Sequence, residues 1–146
     1  MFKKIVWATD GSENSERALE YVKSLALETG ASVVAAHCEE ILISAGGRGG
    51  PQLDPGDTEL NHPKIAEQVA QLKAAGVDVT VRRGTAPAGA SGVAHVIVEI
   101  AKEEGADLIV AGRHGHSALG ALLGSVTQRL LGVAECPVLV VPHTGA

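Results

Sequence analysis

The sequence is poor in the residue types that mark several functional classes. Its aromatic residues are one phenylalanine, one tyrosine and one tryptophan among 146 residues. Proteins that bind single-stranded nucleic acid stack bases on aromatic rings, so this scarcity argues against that activity. The net charge of -5 also argues against a broad surface for nucleic acid. We therefore expect no nucleic-acid partner.

Cysteines are few, and long apolar runs are absent. Cys38 and Cys136 are the two cysteines, and they stand far apart, which excludes a disulfide framework and a CxxC motif. No apolar run approaches the ~20 residues that a membrane-spanning helix needs. The apolar segment after Lys4 is shorter than the core of a signal peptide and lacks a cleavage site. We therefore expect a cytoplasmic protein with no membrane partner.

Short β-branched segments alternate along the sequence with longer amphipathic stretches. The hydrophobic spacing predicts strands over residues 5–8, 32–37, 77–81, 108–111 and 138–141. It predicts helices over residues 14–29, 63–76, about 93–105 and 126–133. Apolar strands that alternate with helices are typical of a parallel sheet covered on both faces. We therefore predict a doubly wound α/β fold in one domain, residues 1–146.

Three local features qualify this pattern. Gly30 is expected to end the first helix in the left-handed conformation. Residues 40–62 are rich in glycine and proline and predict a long loop, which is either a functional lid or disordered. Arg82 and Arg83 are predicted to end the third strand as a solvated pair.

The segment from Gly112 to Ser125 has a composition typical of a phosphate-binding loop. Glycines let backbone N–H groups approach a ligand closely, and a helix that begins near Ser125 presents free N–H donors. No acidic residue lies between Asp107 and Glu135, although the chain as a whole is acidic. In open α/β sheets, ligands bind beyond the carboxyl ends of the strands, where this segment lies. These properties favour a phosphate site.

The same segment also fits a structural interpretation. Ser125 and Gln128 have the spacing of a capping box, so Ser125 has a role available at the start of a helix. His114 and His116 lack further ligands nearby in sequence, which argues against a metal site. The two histidines are either exposed to solvent or face a phosphate, and Arg113 is a further candidate for a phosphate contact.

Several enzyme classes that use nucleotides lack their motifs in this chain. Residues 9–12 follow the first strand with the sequence Thr-Asp-Gly-Ser, which does not match the GxGxxG of a dinucleotide-binding unit. The Gly-Lys-Ser/Thr of a Walker A loop is absent as well. No pair of nucleophile and base can be assembled from the strand ends. We therefore expect little or no fast catalysis.

Five segments carry a resemblance to a known family. They are IVWATDGS at 5–12, VAAHC at 34–38, ADLIVAG at 106–112, LLGSV at 122–126 and CPVLVV at 136–141. Through them the chain resembles the universal stress protein family over most of its length. The resemblance implies strand order 3-2-1-4-5 and a homodimer, often paired through the last strand, here Val138 to Val141. It also implies either ATP binding or, in a second branch of the family, no nucleotide.

The glycine motif departs from the family pattern by one residue. The ATP-binding branch carries Gly-x2-Gly-x9-Gly-Ser/Thr, and Gly112 and Gly115 match its first part. Eight residues separate Gly115 from Gly124, one fewer than the pattern has. One residue fewer moves backbone donors by up to about 3 Å unless residues 117–120 absorb the difference. We predict phosphates on Gly115, Gly124 and Ser125.

The resemblance also implies a set of nucleotide-binding residues. They are Ala8, Asp10, Cys38, Ala111, Gly112, Gly115, Gly124, Ser125, Val126 and Thr127. Cys38 stands where the family contacts adenine, mainly through the backbone, and it is equally suited to be a small buried hydrophobe. Because a carboxylate repels phosphates, Asp10 is predicted to contact the ribose or Mg²⁺. A turn or a helix cap is the alternative role for Asp10.

Two functions remain in competition. The first is a homodimeric stress-response or signalling module that binds ATP, ADP or AMP, with Mg²⁺ if Asp10 takes part, and that hydrolyses ATP slowly at most. The second is a nucleotide-free interaction protein that acts through its dimer surface and residues 40–62. His37 is predicted to be a packing residue at a strand end rather than a catalyst.

Overall fold

The computed structural model describes residues 2–41, 63–87, 90–112 and 125–142. In chain order its elements are β1 (Lys4–Ala8), α1 (Glu13–Thr29), β2 (Ser32–Ile41), α2 (Pro63–Ala74), β3 (Val79–Pro87), α3 (Ala90–Glu104), β4 (Leu108–Gly112), α4 (Ser125–Val133) and β5 (Val138–Val141). The strands form one parallel sheet in the order β3-β2-β1-β4-β5. The fold class and the strand order that we predicted are confirmed.

Helices cover both faces of the sheet because successive strand residues point to opposite sides. Ile5 and Trp7 of β1 lie in the apolar cluster that α1 and α2 cover. Val6, between them, lies in the cluster that α3 and α4 cover. Both clusters are buried, and each fully buried valine or leucine stabilises the fold by about 1.5–3 kcal/mol. The central strand is therefore apolar on both faces, as the sequence pattern predicted.

The first helix is closed at both ends by local residues. The Ser12 side chain accepts a hydrogen bond from the N–H of Ser15, which makes Ser12 the N-cap of α1. Gly30 adopts a φ of 74°, and its N–H donates to the carbonyl of Ala26 at 2.8 Å. The predicted left-handed end of this helix is confirmed.

The third strand lies later in the chain than we predicted. It pairs with β2 from Val33 opposite Val79 to Ile41 opposite Pro87, so residues 40 and 41 belong to β2 and not to a loop. Val77, which we assigned to the strand, donates its N–H to the carbonyl of Leu72 and completes the end of α2. An apolar residue after a helix can serve the helix end as well as a strand, and spacing alone does not separate the two.

The two arginines of β3 lie inside the strand and not at its end, which corrects their predicted position, and their side chains are more than a third exposed to solvent. Arg82 forms ion pairs with Glu103 and Glu104 of α3. Arg83 forms an ion pair with Glu39 of β2 at 3.2 Å. Both lie inside the strand, and adjacent strand residues face opposite sides, so each meets a different acidic partner.

Among the described residues, no helix combines the length and apolar character that a membrane crossing requires.

Candidate functional site

A cavity of about 130 Å³ opens at the carboxyl ends of the central strands. Its lining includes the residues Ala8, Asp10, Cys38, Ala111, Gly112, Val126 and Thr127. The structure thus brings together every residue of the predicted nucleotide set that lies outside 113–125. β1 lies between β2 and β4 in the sheet, and α/β sheets bind ligands where the strand order reverses in this way.

The floor of the cavity is made of small apolar side chains. Ala8 of β1 is paired in register with Ala36 of β2 on one side and with Ala111 of β4 on the other. Val93 and Ile97 of α3 line the cavity beside them. Three neighbouring alanines leave room above the sheet that larger side chains would fill. Such a floor suits a flat apolar group, such as a nucleobase.

Asp10 forms a turn at the mouth of the cavity. It is exposed, and its Oδ1 accepts a hydrogen bond from the N–H of Ser12 at 2.9 Å. Gly11 follows with a φ of 79°, a left-handed conformation that glycine adopts without strain. The cap of α1 is Ser12, so the alternative role predicted for Asp10 is that of a turn residue and not a cap.

Gly112 at the end of β4 permits a close approach of backbone to backbone. A Cβ added there would overlap the carbonyl group of Asn14 in the first turn of α1. The start of α1 can therefore lie over the end of β4 because residue 112 has no side chain. This contact holds Asn14 and Gly112 together on the lining of the cavity.

Behind the turn lies a buried polar network that sequence reasoning missed. The hydroxyl of Thr9 donates to Oε1 of Gln68 at 2.7 Å, and Nε2 of Gln68 donates to Oγ of Ser15 at 3.3 Å. The indole N–H of Trp7 donates to the carbonyl of Ser15 at 3.2 Å. One signal was available: Gln68 has the spacing of Ile65 and Leu72, which marks the buried stripe of a helix.

His37 and Cys38 are the last residues of β2 that line the cavity. His37 is buried, and its Nδ1 donates to the carbonyl of Thr9 at 3.0 Å. Because a carbonyl oxygen only accepts, this bond requires a proton on Nδ1, and it fits the packing role that we predicted. Cys38 is half-buried and lines the cavity.

The comparisons with known proteins agree with this architecture. The family model of the universal stress protein family matches residues 1–142. The chain belongs to this family. A universal stress protein of Thermus aquaticus is 34% identical over 97% of this chain and 99% of its own.

Solved structures of universal stress proteins share the fold. A family member from Burkholderia pseudomallei, 28% identical, has a TM-score of 0.72 and covers 97% of this chain and 96% of its own. A universal stress protein in complex with cAMP, 27% identical, has a TM-score of 0.70 and covers 99% of this chain and 98% of its own. The doubly wound sheet of this universal stress protein is therefore that of its family.

Part of the predicted site lies outside the described residues. This applies to Gly115 and Gly124, to the candidate phosphate contacts Arg113, His114 and His116, and to residues 42–62. Ser125 is the first residue of α4. Within the described ranges, no group of three or more His, Cys, Asp or Glu side chains is arranged to hold a metal ion.

Proposed function

We propose that this universal stress protein binds an adenine nucleotide in the cavity above Ala8 and serves as a stress-response or signalling module, with slow ATP hydrolysis at most. The observation that carries the proposal is the convergence of the predicted residues on one cavity at the strand ends. The relative of 27% identity in complex with cAMP supports a nucleotide as ligand. ATP is the proposed ligand, with ADP and AMP as the related candidates.

The geometry suggests where each part of the nucleotide lies. The base rests on Ala8, Ala36 and Ala111, with Cys38 at its edge. The phosphates extend toward α4, because Val126 and Thr127 of its first turn line the cavity and a helix start carries free N–H donors. In this arrangement the phosphates meet the backbone of Gly112, Gly115, Gly124 and Ser125, and the side chains of Arg113, His114 and His116.

Asp10 is placed at the ribose in this proposal. Its exposed carboxylate stands at the end of β1, beside the floor that takes the base. A ribose hydroxyl donates readily to a carboxylate, whereas a phosphate repels it unless Mg²⁺ lies between them. Mg²⁺ bound to the phosphates is therefore the one metal that we propose for this site.

We also propose that the protein is a homodimer paired through β5. Among the described strands, β4 is the neighbour of β5, and its other edge has no strand beside it. The apolar residues Val138, Leu139 and Val140 are only half-buried in the single chain. A second copy of β5 would pair the open edge and cover these side chains. We propose a cytoplasmic location and a single-domain organisation for the same module.

A thermal-shift titration with ATP, ADP and AMP tests nucleotide binding. A ligand that binds the folded state alone, at one hundred times its Kd, stabilises the protein by about 2.7 kcal/mol. For a domain of this size we expect the Tm to rise by about 5–10 °C. The absence of a shift with all three nucleotides would favour the alternative, a nucleotide-free interaction protein, to which the shortened glycine loop already points.

The two cysteines provide a matched pair of variants for this titration. Cys38→Leu extends a side chain into the cavity and should abolish the ATP shift. Cys136→Leu makes the same change in a separate depression beside Lys102 and Ala106, and it should retain the shift. Loss of the shift in both variants would place the nucleotide elsewhere or reveal a general loss of structure.

A further inference from the structure

We propose that Gln68 of α2 is a positioning residue of the nucleotide site, where it fixes the turn from Thr9 to Ser12 that presents Asp10. The proposal rests on the nucleotide function above and adds a residue that lies outside the cavity lining. Gln68 reaches the turn from behind, through Thr9 on one side and Ser15 on the other.

Both the oxygen and the nitrogen of the Gln68 amide form hydrogen bonds. Its side chain is 2% exposed, so it has little access to water. Oε1 accepts from Thr9 at 2.7 Å, and Nε2 donates to Ser15 at 3.3 Å. One acceptor and one donor in fixed positions determine which way the amide faces.

Thr9 and Ser15, the two partners of Gln68, each form a further hydrogen bond with a residue of the turn. Since the hydroxyl proton of Thr9 is used toward Gln68, its oxygen is available to accept from the N–H of Gly11, which lies 3.1 Å away. On the other side, Oγ of Ser15 donates to the carbonyl of Ser12 at 2.8 Å. Gln68 therefore holds the turn on both sides of Asp10.

Helix α2 also contacts the same turn at a second place, at Gly11. A Cβ built on Gly11 would lie 3.3 Å from Cβ of Lys64, so the first turn of α2 packs directly on the turn. The position of α2 and the conformation of the turn are therefore linked. A ligand that needs one conformation of the turn would favour one position of α2.

A structural role alone explains a glutamine poorly at this position. A buried amide loses its bonds to water, and the bonds it regains in the protein add little net stability. An apolar side chain of the same length would suit the stripe of Ile65 and Leu72 at least as well. What the amide adds is a fixed direction for Thr9 and Ser15, and hence for the turn.

The test compares the Kd for ATP, measured by isothermal titration calorimetry at a temperature where every variant is fully folded. Gln68→Met keeps the length of the side chain and removes its amide, and we expect the Kd to rise about tenfold. Thr9→Val breaks the same chain of bonds from its other end and should raise the Kd similarly. Because the two changes break one chain, the double variant should bind no more weakly than either single variant.

Val69→Ala is the matched control. Val69 is the buried neighbour of Gln68 on the same helix, in the apolar cluster beneath α1 and α2. This variant should lower the Tm and leave the Kd for ATP unchanged. If Gln68 had a purely structural role, Gln68→Met would give the same pair of results. A displaced amide resonance of Gly11 in the spectrum of free Gln68→Met, absent in Val69→Ala, would support the positioning role directly.

The outcomes separate this inference from the function on which it rests. If the native protein binds ATP and Gln68→Met binds it equally well, the inference is wrong and the proposed function stands. If the native protein binds none of ATP, ADP and AMP, the proposed function fails and the inference fails with it. If Gln68→Met does not fold, Thr9→Val decides, since an unchanged Kd in that variant also overturns the inference.

Discussion

At the residue scale, the absence of a side chain at Gly112 determines how closely β4 and α1 approach. Gly112→Ala places a Cβ against the carbonyl group of Asn14, and we expect the free energy of unfolding to fall by about 1–3 kcal/mol. Gly132→Ala is the control, because a Cβ on this residue of α4 meets nothing within 4 Å. That variant should be unchanged or stabilised by up to about 1 kcal/mol. Equal losses in urea denaturation would contradict this account.

The ion pair between Glu39 and Arg83 is a second prediction at this scale. Glu39 is 5% exposed, and Nη1 of Arg83 lies 3.2 Å from its Oε1. Arg83→Met leaves a buried carboxylate without this cation, and we expect it to lower the free energy of unfolding by about 3 kcal/mol. The double variant with Glu39→Gln should recover most of this loss. No recovery in urea denaturation would mean that Arg83 stabilises the fold through other contacts.

At the scale of the elements, an ionic cluster joins the end of α3 to two strands. Glu104 accepts hydrogen bonds from Arg82 of β3 at 2.7 Å and from Lys4 of β1 at 3.3 Å. The hydrogen bond from Arg82, and then that from Lys4, lower the pKa of Glu104. A lowered folded pKa means that the cluster stabilises the protein above the unfolded pKa of about 4.3. This contribution is lost as the pH falls through the folded pKa.

Glu104→Gln tests this contribution. At pH 7 we expect a loss of about 0.5–1 kcal/mol in the free energy of unfolding, and the difference from the native protein should shrink as the pH falls below about 4.3. Glu99→Gln on the same helix is the control. Glu99 is exposed, and its pair with Lys102 spans 3.9 Å, so this change should have little effect at any pH. A difference for Glu104→Gln that persists at pH 3 would contradict the ionic explanation.

The sequence correctly predicted the elements that an apolar pattern alone identifies. It failed for residues whose place also depends on a helix end or on ion pairs. The apolar strands β1, β4 and β5 were placed within a residue at each end, because each is a short run of apolar residues. The start of β3 was misplaced because Val77 belongs to the end of α2. The polar half of β3 around Arg82 carries no apolar pattern, and its ion pairs depend on partners far away in sequence.

At the scale of the whole molecule, topology explains why the cavity was predictable. Parallel strands end at the same edge of a sheet, so Asp10 and Gly112 follow as neighbours once the strand order is known. The role of Gln68 did not follow, because its partners Thr9 and Ser15 lie more than fifty residues earlier in the chain. Hydrogen bonds of this kind depend on how the helices pack, which periodicity alone does not specify.

The proposed dimer gives a prediction at the same scale. The carbonyl of Pro137 accepts from the N–H of Ile109 at 2.9 Å, and backbone groups alternate along a strand. The N–H of Val140 is therefore directed to the open edge of β5. Val140→Pro removes this donor without removing a bond to β4, and sedimentation equilibrium should show a monomer with unchanged circular dichroism. A variant that stays dimeric would place the dimer contact elsewhere.

The indole of Trp7 belongs to the buried network and can report on it by fluorescence. It is the single tryptophan of the chain, it is 0% exposed, and it bonds to Ser15, which Gln68 also contacts. Emission from this protein excited near 295 nm therefore arises at one known place, directly behind the turn of Asp10. A rearrangement of that turn would change the wavelength or intensity of this emission. The chain carries its own fluorescent reporter of the site, and no attached dye is needed to read it.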